Sequence, residues 1–438
     1  MLTAFLRAFR TPDLRRKLLF TLFIIGVFRL GSTLPTPGIS VSAVNKCVNA
    51  ATTSGGGSAN IYQLVNLFSG GALLKLTVFA LGIMPYITAS IIMQLLAVVI
   101  PRLETLQDEG QSGTAKITQY TRYLTIGLAI LQSTGIVALA KSGRLFQNCN
   151  QSLLINDNVF TVVTMVIVMT AGTAVIMWLG ELITDRGVGN GISLLIFTQV
   201  IAVFPSELGN VYQSKGTFAL IVVLLVGVAV IGFIAFMEQA QRRIPVQYAK
   251  RMVGRRMYGG TSTYIPMKVN QAGVIPVIFA SSLLYIPQLI SSLFGNTTHP
   301  QGWVTWIDTH LVQQSSPFYI GLFFALIVFF TYFYVSITFN PTKVADNMKK
   351  YGGFIPGIRP GRPTAEYLQY VLTRLTAPGS LYLGFVALIP MIALAFVGVG
   401  NTIPFGGTAI LIAVGVGLDT VKQIESQLQQ RNYEGFLR

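Results

Sequence analysis

The sequence predicts an all-α integral membrane protein, with ten transmembrane helices in two inverted five-helix halves around a central pore. Composition is the first ground. Of 438 residues, 52% are hydrophobic and only 11% charged, with mean hydropathy +0.62, against roughly 25% charge in an average soluble domain. Too little charge is available to cover a globule of 47.6 kDa, so most of the surface must face lipid. The second ground is the arrangement of the apolar residues in long uncharged blocks. The third is an internal repeat: GIMPYITAS (Gly82 to Ser90) and GVIPVIFAS (Gly273 to Ser281) share Gly, Pro, Ile, Ala and Ser at the same places.

A spanning helix needs about 20 apolar residues. Ten blocks qualify, near 18–35, 75–100, 123–140, 158–180, 187–206, 216–237, 269–294, 317–339, 374–396 and 404–424; they are called spans 1 to 10 below. Span 1 follows a basic stretch, as the core of a signal peptide does, and reads as a retained span. Spans 9 and 10 share one uncharged stretch from Leu375 to Leu418, broken at GVGNTIPFGG (Gly398 to Gly407). The alternation of barrel strands is absent, which leaves helices. The repeated segments lie in spans 2 and 7, equivalent places in halves of five spans each, 1–206 and 207–438. An odd number of spans per half inverts one half relative to the other and puts a path at their interface.

Orientation follows from the basic residues. The chain carries 31 Lys+Arg against 15 Asp+Glu, a net charge of +16. Twenty-five of the 31 fall in one set of loops, Arg122 among them, and five in the other. The positive-inside rule makes both termini and the basic loops cytoplasmic. The remaining one, Arg29, is the only deeper basic residue, inside span 1, where snorkelling or a polar partner accounts for it.

Two cytoplasmic loops stand out. The one near 238–268 carries Arg242, Arg243, Lys250, Arg251, Arg255 and Arg256, and its alternation near Val246 with Gly259-Gly260 predicts a protruding hairpin. The one near 340–374 places Arg359 and Arg362 on an ordered, non-helical tip punctuated by Gly and Pro. Such charge serves orientation and contact with anionic lipids; loops this long also suit an acidic or nucleic-acid-rich partner such as a ribosome.

Other chemistry is sparse. Ion-coupled transport needs ionisable groups at mid-membrane, whereas Glu181, Asp185, Glu207, Glu238 and Asp419 sit near span ends. That weighs against the alternative of an inverted-repeat small-molecule transporter. His299, Asp308 and His310 share an outer loop but lack a third strong ligand, so no metal site is expected. GVGNG (Gly187 to Gly191) lacks a Walker lysine and reads as a tight turn between helices. No catalytic residue, enzyme activity or cofactor is therefore expected. Cys47 and Cys149 lie in outer loops, where unpaired thiols are the expected state and a disulfide is geometrically allowed. The short apolar segment IYQLVNLFSGG (Ile61 to Gly71) reads either as an interfacial helix or as a half-helix folded into a cavity.

The sequences FRLGSTLPTPGI (Phe28 to Ile39), NLFSGGAL (Asn66 to Leu73), ALGIMPYITASIIMQLL (Ala80 to Leu96), GVGNGISLLIF (Gly187 to Phe197), QRRIPVQYAKR (Gln241 to Arg251) and FIPGIRPGRPT (Phe354 to Thr364) resemble the SecY family of protein-conducting channels. The resemblance implies a clamshell of two halves hinged between spans 5 and 6. It implies a pore ring of Ile83, Ile87, Ile192, Ile196, Ile278 and Ile412, and a plug at about 61–71 with Ile61, Leu64, Leu67, Phe68, Gly70 and Gly71. It implies a lateral gate of spans 2, 3, 7 and 8 that includes Gln94 and Asn270. The expected partners are SecE-type and SecG-type small subunits, the SecA ATPase, the ribosome, signal-sequence-bearing preproteins and anionic lipids. The expected place is the bacterial plasma membrane.

Overall fold

A computed structural model describes residues 9, 11–44, 46–47, 71–73, 75–141, 153–156, 158–248, 251–253, 256–258, 262–294, 302–312, 316–397 and 407–434. Helices occupy every predicted span: Pro12–Gly31, Met84–Val99, Gln111–Lys141, Val159–Arg186, Gly191–Gln239 (spans 5 and 6 together), Ile275–Phe294, Pro317–Thr338, Arg362–Val397 and Gly407–Glu434. Among the described residues, five helical segments are long and apolar enough to cross a membrane by themselves. The remaining spans are shorter or carry charge at one end, as the 16-residue helix of span 2 does by length and Pro12–Gly31 by its Arg and Lys.

The structure corrects the predicted elements at several points. Span 2 does not start as a helix at 75. Residues 71–73 and 75–83 form turns, and their backbone pairs with the segment after span 1: Thr36 N–H donates to the Leu76 carbonyl (3.1 Å) and Val78 N–H to the Leu34 carbonyl (2.9 Å). Phe28 stacks on Phe79 with ring centroids 5.8 Å apart, and Gly31 leaves room for that ring, since a Cβ there would overlap it. The link between spans 5 and 6 is helical, broken at Gly216 (φ 79°), as isolated glycines break long helices. Arg122 is in no loop: it lies within the helix Gln111–Lys141. Arg362 is not on a non-helical tip but opens the helix Arg362–Val397. Cys47 is buried and disulfide-bonded, where a free thiol was expected; the only other cysteine in the sequence, Cys149, is outside the described residues.

The apolar residues assemble into one main cluster drawn from spans 1, 2 and 4 to 10, with a second around residues 39–47, 71–81 and the helices of spans 3 and 4. A third lies under a small sheet built from the two basic loops. In that sheet β1 (Gln241–Tyr248) pairs antiparallel with β4 (Ser262–Lys268); between them β2 (Arg251–Val253) and β3 (Arg256–Tyr258) pair as a separate hairpin that turns between Val253 and Arg256, while the Gly259-Gly260 step of the expected hairpin lies outside the described residues. On the other edge of β1 lies β5 (Gly353–Phe354), which comes from the second basic loop.

Candidate functional site

The repeat is structural as well as sequential. Gly82 (φ 57°) and Gly273 (φ 60°) both take the left-handed conformation that side chains disfavour. Two residues later each chain enters a helix, at Met84 and Ile275, with proline in second place (Pro85, Pro276) where no amide hydrogen is needed. Ile87 and Ile278 therefore sit at the same turn of their respective helices.

Ile83, Ile87, Ile196, Ile278 and Ile412 are all buried in the main cluster, and half-buried Ile192 packs against it. Four spans thus deliver the six expected ring residues into one apolar body. Aliphatic carbon gives ions nothing to replace their hydration, and bringing charge into such a medium costs several kcal/mol. One turn beyond Ile196, Gln199 is fully buried, and neither its amide oxygen nor its nitrogen has a hydrogen-bond partner. Sequence reading missed this residue, because nothing in the span 5 sequence marks which face is inward.

Of the expected plug residues, Ile61, Leu64, Leu67, Phe68 and Gly70 lie outside the described residues. Gly71 is described and begins the turns that lead to span 2, with φ 88°.

Span 7 contacts spans 2, 3 and 8, and span 2 contacts span 3, so the four expected gate helices are neighbours. The two polar gate residues are not brought together. Gln94 is exposed on span 2. Asn270 is buried just before span 7, where its amide donates to Glu238 Oε1 (2.5 Å) at the end of span 6 and to the Gly273 carbonyl (3.2 Å). Beside this junction Lys268 reaches Asp419 of span 10 at 3.6 Å. A second polar tie was also unforeseen: Arg122 of span 3 holds Glu181 of span 4 through two parallel bonds, Nε to Oε1 (2.9 Å) and Nη2 to Oε2 (2.7 Å), and reaches Gln119 Oε1 at 3.0 Å.

Of the expected docking residues, Arg242 and Arg243 lie on the small sheet and the other described ones on the hairpin and turn that adjoin it in sequence. Along β1, Arg243, Pro245 and Gln247 face out while Ile244 and Val246 are buried with Met267, Met348, Ile355 and Leu368. Arg242 is exposed at the strand's start, and the Arg243 guanidinium lies over the Tyr264 ring at 4.9 Å. Arg251 and Arg256 belong to the β2–β3 hairpin, with Arg256 opposite Val253; Lys250 and Arg255 are outside the described residues. Arg359 is exposed in the turn after β5, and its carbonyl accepts a hydrogen bond from Thr364 Oγ1 at 2.9 Å. Since β5 joins β1, both basic loops present their charge from one platform.

In the outer loop, the His310 ring stacks on Trp306 and bonds Thr309 Oγ1 (2.9 Å), and His299 is outside the described residues. GVGNG makes the expected tight connection: the Asn190 side chain caps the helix of span 5 by accepting from the Ile192 and Ser193 amides.

Comparison with known proteins follows the same lines. The SecY family model matches residues 77–421. The chain is 64% identical to the protein translocase subunit SecY of Streptomyces scabiei and 65% to that of Streptomyces coelicolor, each over the full length of both chains. It is 60% identical to the Mycobacterium tuberculosis subunit, again over the full length of both. Among solved structures, one described as a protein-conducting channel aligns with TM-score 0.63 at 20% identity, covering 94% of this chain and 91% of that one. Sec61 of a canine ribosome-channel complex aligns with TM-score 0.58 at 19% identity over the same shares. At those identities the structural likeness speaks for the fold.

Proposed function

The chain belongs to the SecY family, and from that premise we infer how its parts act as a protein-conducting channel. It is a multi-pass membrane protein and a translocase subunit, a channel component and not an enzyme. The observation that carries the reading of its parts is the convergence of Ile83, Ile87, Ile192, Ile196, Ile278 and Ile412, from four spans, on one apolar cluster.

In this reading residues 1–206 and 207–438 are two inverted halves that part around the isoleucine ring. The ring excludes ions while closed and deforms around a passing chain, and the segment near 61–71 plugs it from outside. Spans 2, 3, 7 and 8 form a lateral gate. A segment of about ten leucine-like residues gains roughly 3 to 6 kcal/mol in lipid, enough to leave sideways through a gate that opens transiently, while polar segments continue through. The chain shows no nucleotide motif, so the drive comes from outside, from the SecA ATPase or the translating ribosome docked on Arg242, Arg243, Lys250, Arg251, Arg255, Arg256 and Arg359. SecE-type and SecG-type subunits complete the complex and anionic lipids meet the basic face. Preproteins enter from the cytoplasm, with both termini of this chain on that side of the bacterial plasma membrane.

Crosslinking tests the reading directly. A photoreactive residue at position 83, 87, 278 or 412 should capture an arrested signal-bearing polypeptide, and one at lipid-facing Phe236 should not. Capture at none of the four would remove the cluster from the translocation path.

A further inference from the structure

The connection between spans 7 and 8 contains a short helix, Gly302–Ile307, continued by a π-helical turn, Asp308–Val312, and this turn packs against both spans. Val304 is buried beneath it. Trp303 and Trp306, three residues apart and so on adjoining parts of one face, are about half exposed, at 46% and 50%. The whole chain has three tryptophans, and two of them are here. No charged residue occurs from 302 to 307.

Depth is set by a ring contact. Trp306 meets Phe318 edge-on at 6.1 Å, and Phe318 is the second residue of the apolar helix of span 8. His310 stacks on Trp306 at 5.0 Å and meets Phe318 edge-on at 6.1 Å, so the three rings form one closed cluster. Its Nδ1 lies 2.9 Å from Thr309 Oγ1 and 3.1 Å from the Trp306 carbonyl, so the ring's polar atom is engaged within the turn itself. An uncharged helical turn with two half-exposed indoles, each an apolar ring with one N–H donor, in contact with the first turn of a spanning helix has the chemistry of a surface that rests at the boundary between lipid headgroups and chains.

We propose that residues 302–312 are an interfacial anchor, with Trp303 and Trp306 seated among phospholipids of the outer leaflet and fixing the outer ends of spans 7 and 8 at that depth. Resting on the gate reading above, the anchor would also hold two gate helices at a constant level while the gate opens. The partner is lipid; water or another protein over the same face are the competing outcomes.

The full chain with Trp178→Phe, reconstituted in phosphatidylcholine vesicles, leaves only the two anchor tryptophans as reporters. Phospholipids brominated near the headgroup end of the chain should quench their emission about twofold more than those brominated near the chain end, and aqueous iodide should quench little. Strong iodide quenching with none from either lipid would put the face in water and overturn the proposal. Protection from all three quenchers would mean that protein covers the face, and would overturn it equally. Translocation by a Trp303→Ala, Trp306→Ala variant is a separate readout: an unchanged signal-sequence preference with the shallow quenching pattern intact in the parent would sink the gate reading and leave the anchor standing.

Discussion

In the proposed pore ring, the side chains of Ile87 and Ile278 would fill the constriction when no substrate is present and yield when one arrives, without offering ions a ligand. A branched aliphatic group does the first by contact and the last by having no polar atom. Asparagine has nearly the same reach but presents an amide to water and ions. Replacing both (Ile87→Asn, Ile278→Asn) should lower the barrier to ions in the resting channel by about 1.4 kcal/mol or more, a tenfold or greater rise in leak conductance in planar bilayers. The same change should relax the stringency for signal sequences. Unchanged conductance would take these residues out of the constriction. The resemblance proposes both positions for the ring, and the repeat, with its shared glycine and proline, makes them equivalent in the two halves. Glu238 was not: its partner Asn270 is 32 residues away, across the whole β1–β4 excursion, and no local pattern ties them. Nor was Gln199, since a glutamine in an apolar run looks the same whether it faces lipid, pore or core.

Helices of a bundle bathed in lipid have no hydrophobic drive to associate, so close packing and polar ties between them hold the bundle together. Spans 3 and 4 have such a tie in Arg122 and Glu181, whose side chains are 40% and 20% exposed. Two parallel charge-assisted bonds in this half-screened setting support roughly 1 to 3 kcal/mol. Glu181→Ala should therefore lower the thermal unfolding temperature of the detergent-purified protein. Arg122→Lys, which keeps the charge but not the planar fork, should fall between it and the parent. Equal melting of all three would make the pair an ornament of the surface. At this scale hydropathy located every span but misjudged where several begin. Residues 71–83 are nearly as apolar as a helix, and Leu73, Leu76, Phe79 and Ile83 among them are buried; only Gly82, a residue of the repeat, signalled the break. The helical link 207–215 was read as a loop because its polar residues interrupt the apolar run. The two-residue strand β5 has no periodicity to read, and its pairing with β1 joins residues over 100 positions apart.

For the molecule as a whole, the excess of positive charge and the apolar bulk are separated in space, and the sheet β4-β1-β5 is where the charge becomes a surface. Arg359 tests whether that surface docks the motor. Its side chain is exposed and its backbone turn is held by Thr364 through the carbonyl, which a substitution leaves in place. Arg359→Glu should thus change folding stability by no more than about 0.5 kcal/mol, as for other surface substitutions. Against an acidic patch on a partner, the same reversal turns attraction into repulsion and costs several kcal/mol. Motor-driven secretion into inverted vesicles should fall about tenfold or more, with the level of protein in the membrane and its melting unchanged. Because the defect is one of docking, raising the motor concentration should restore part of the rate by mass action. Higher salt should narrow the gap between variant and parent by screening both. Normal secretion at low salt and low motor concentration would exclude Arg359 from the docking face. A defect that no concentration of motor relieves would instead assign it to a step after docking, within the opening of the channel itself.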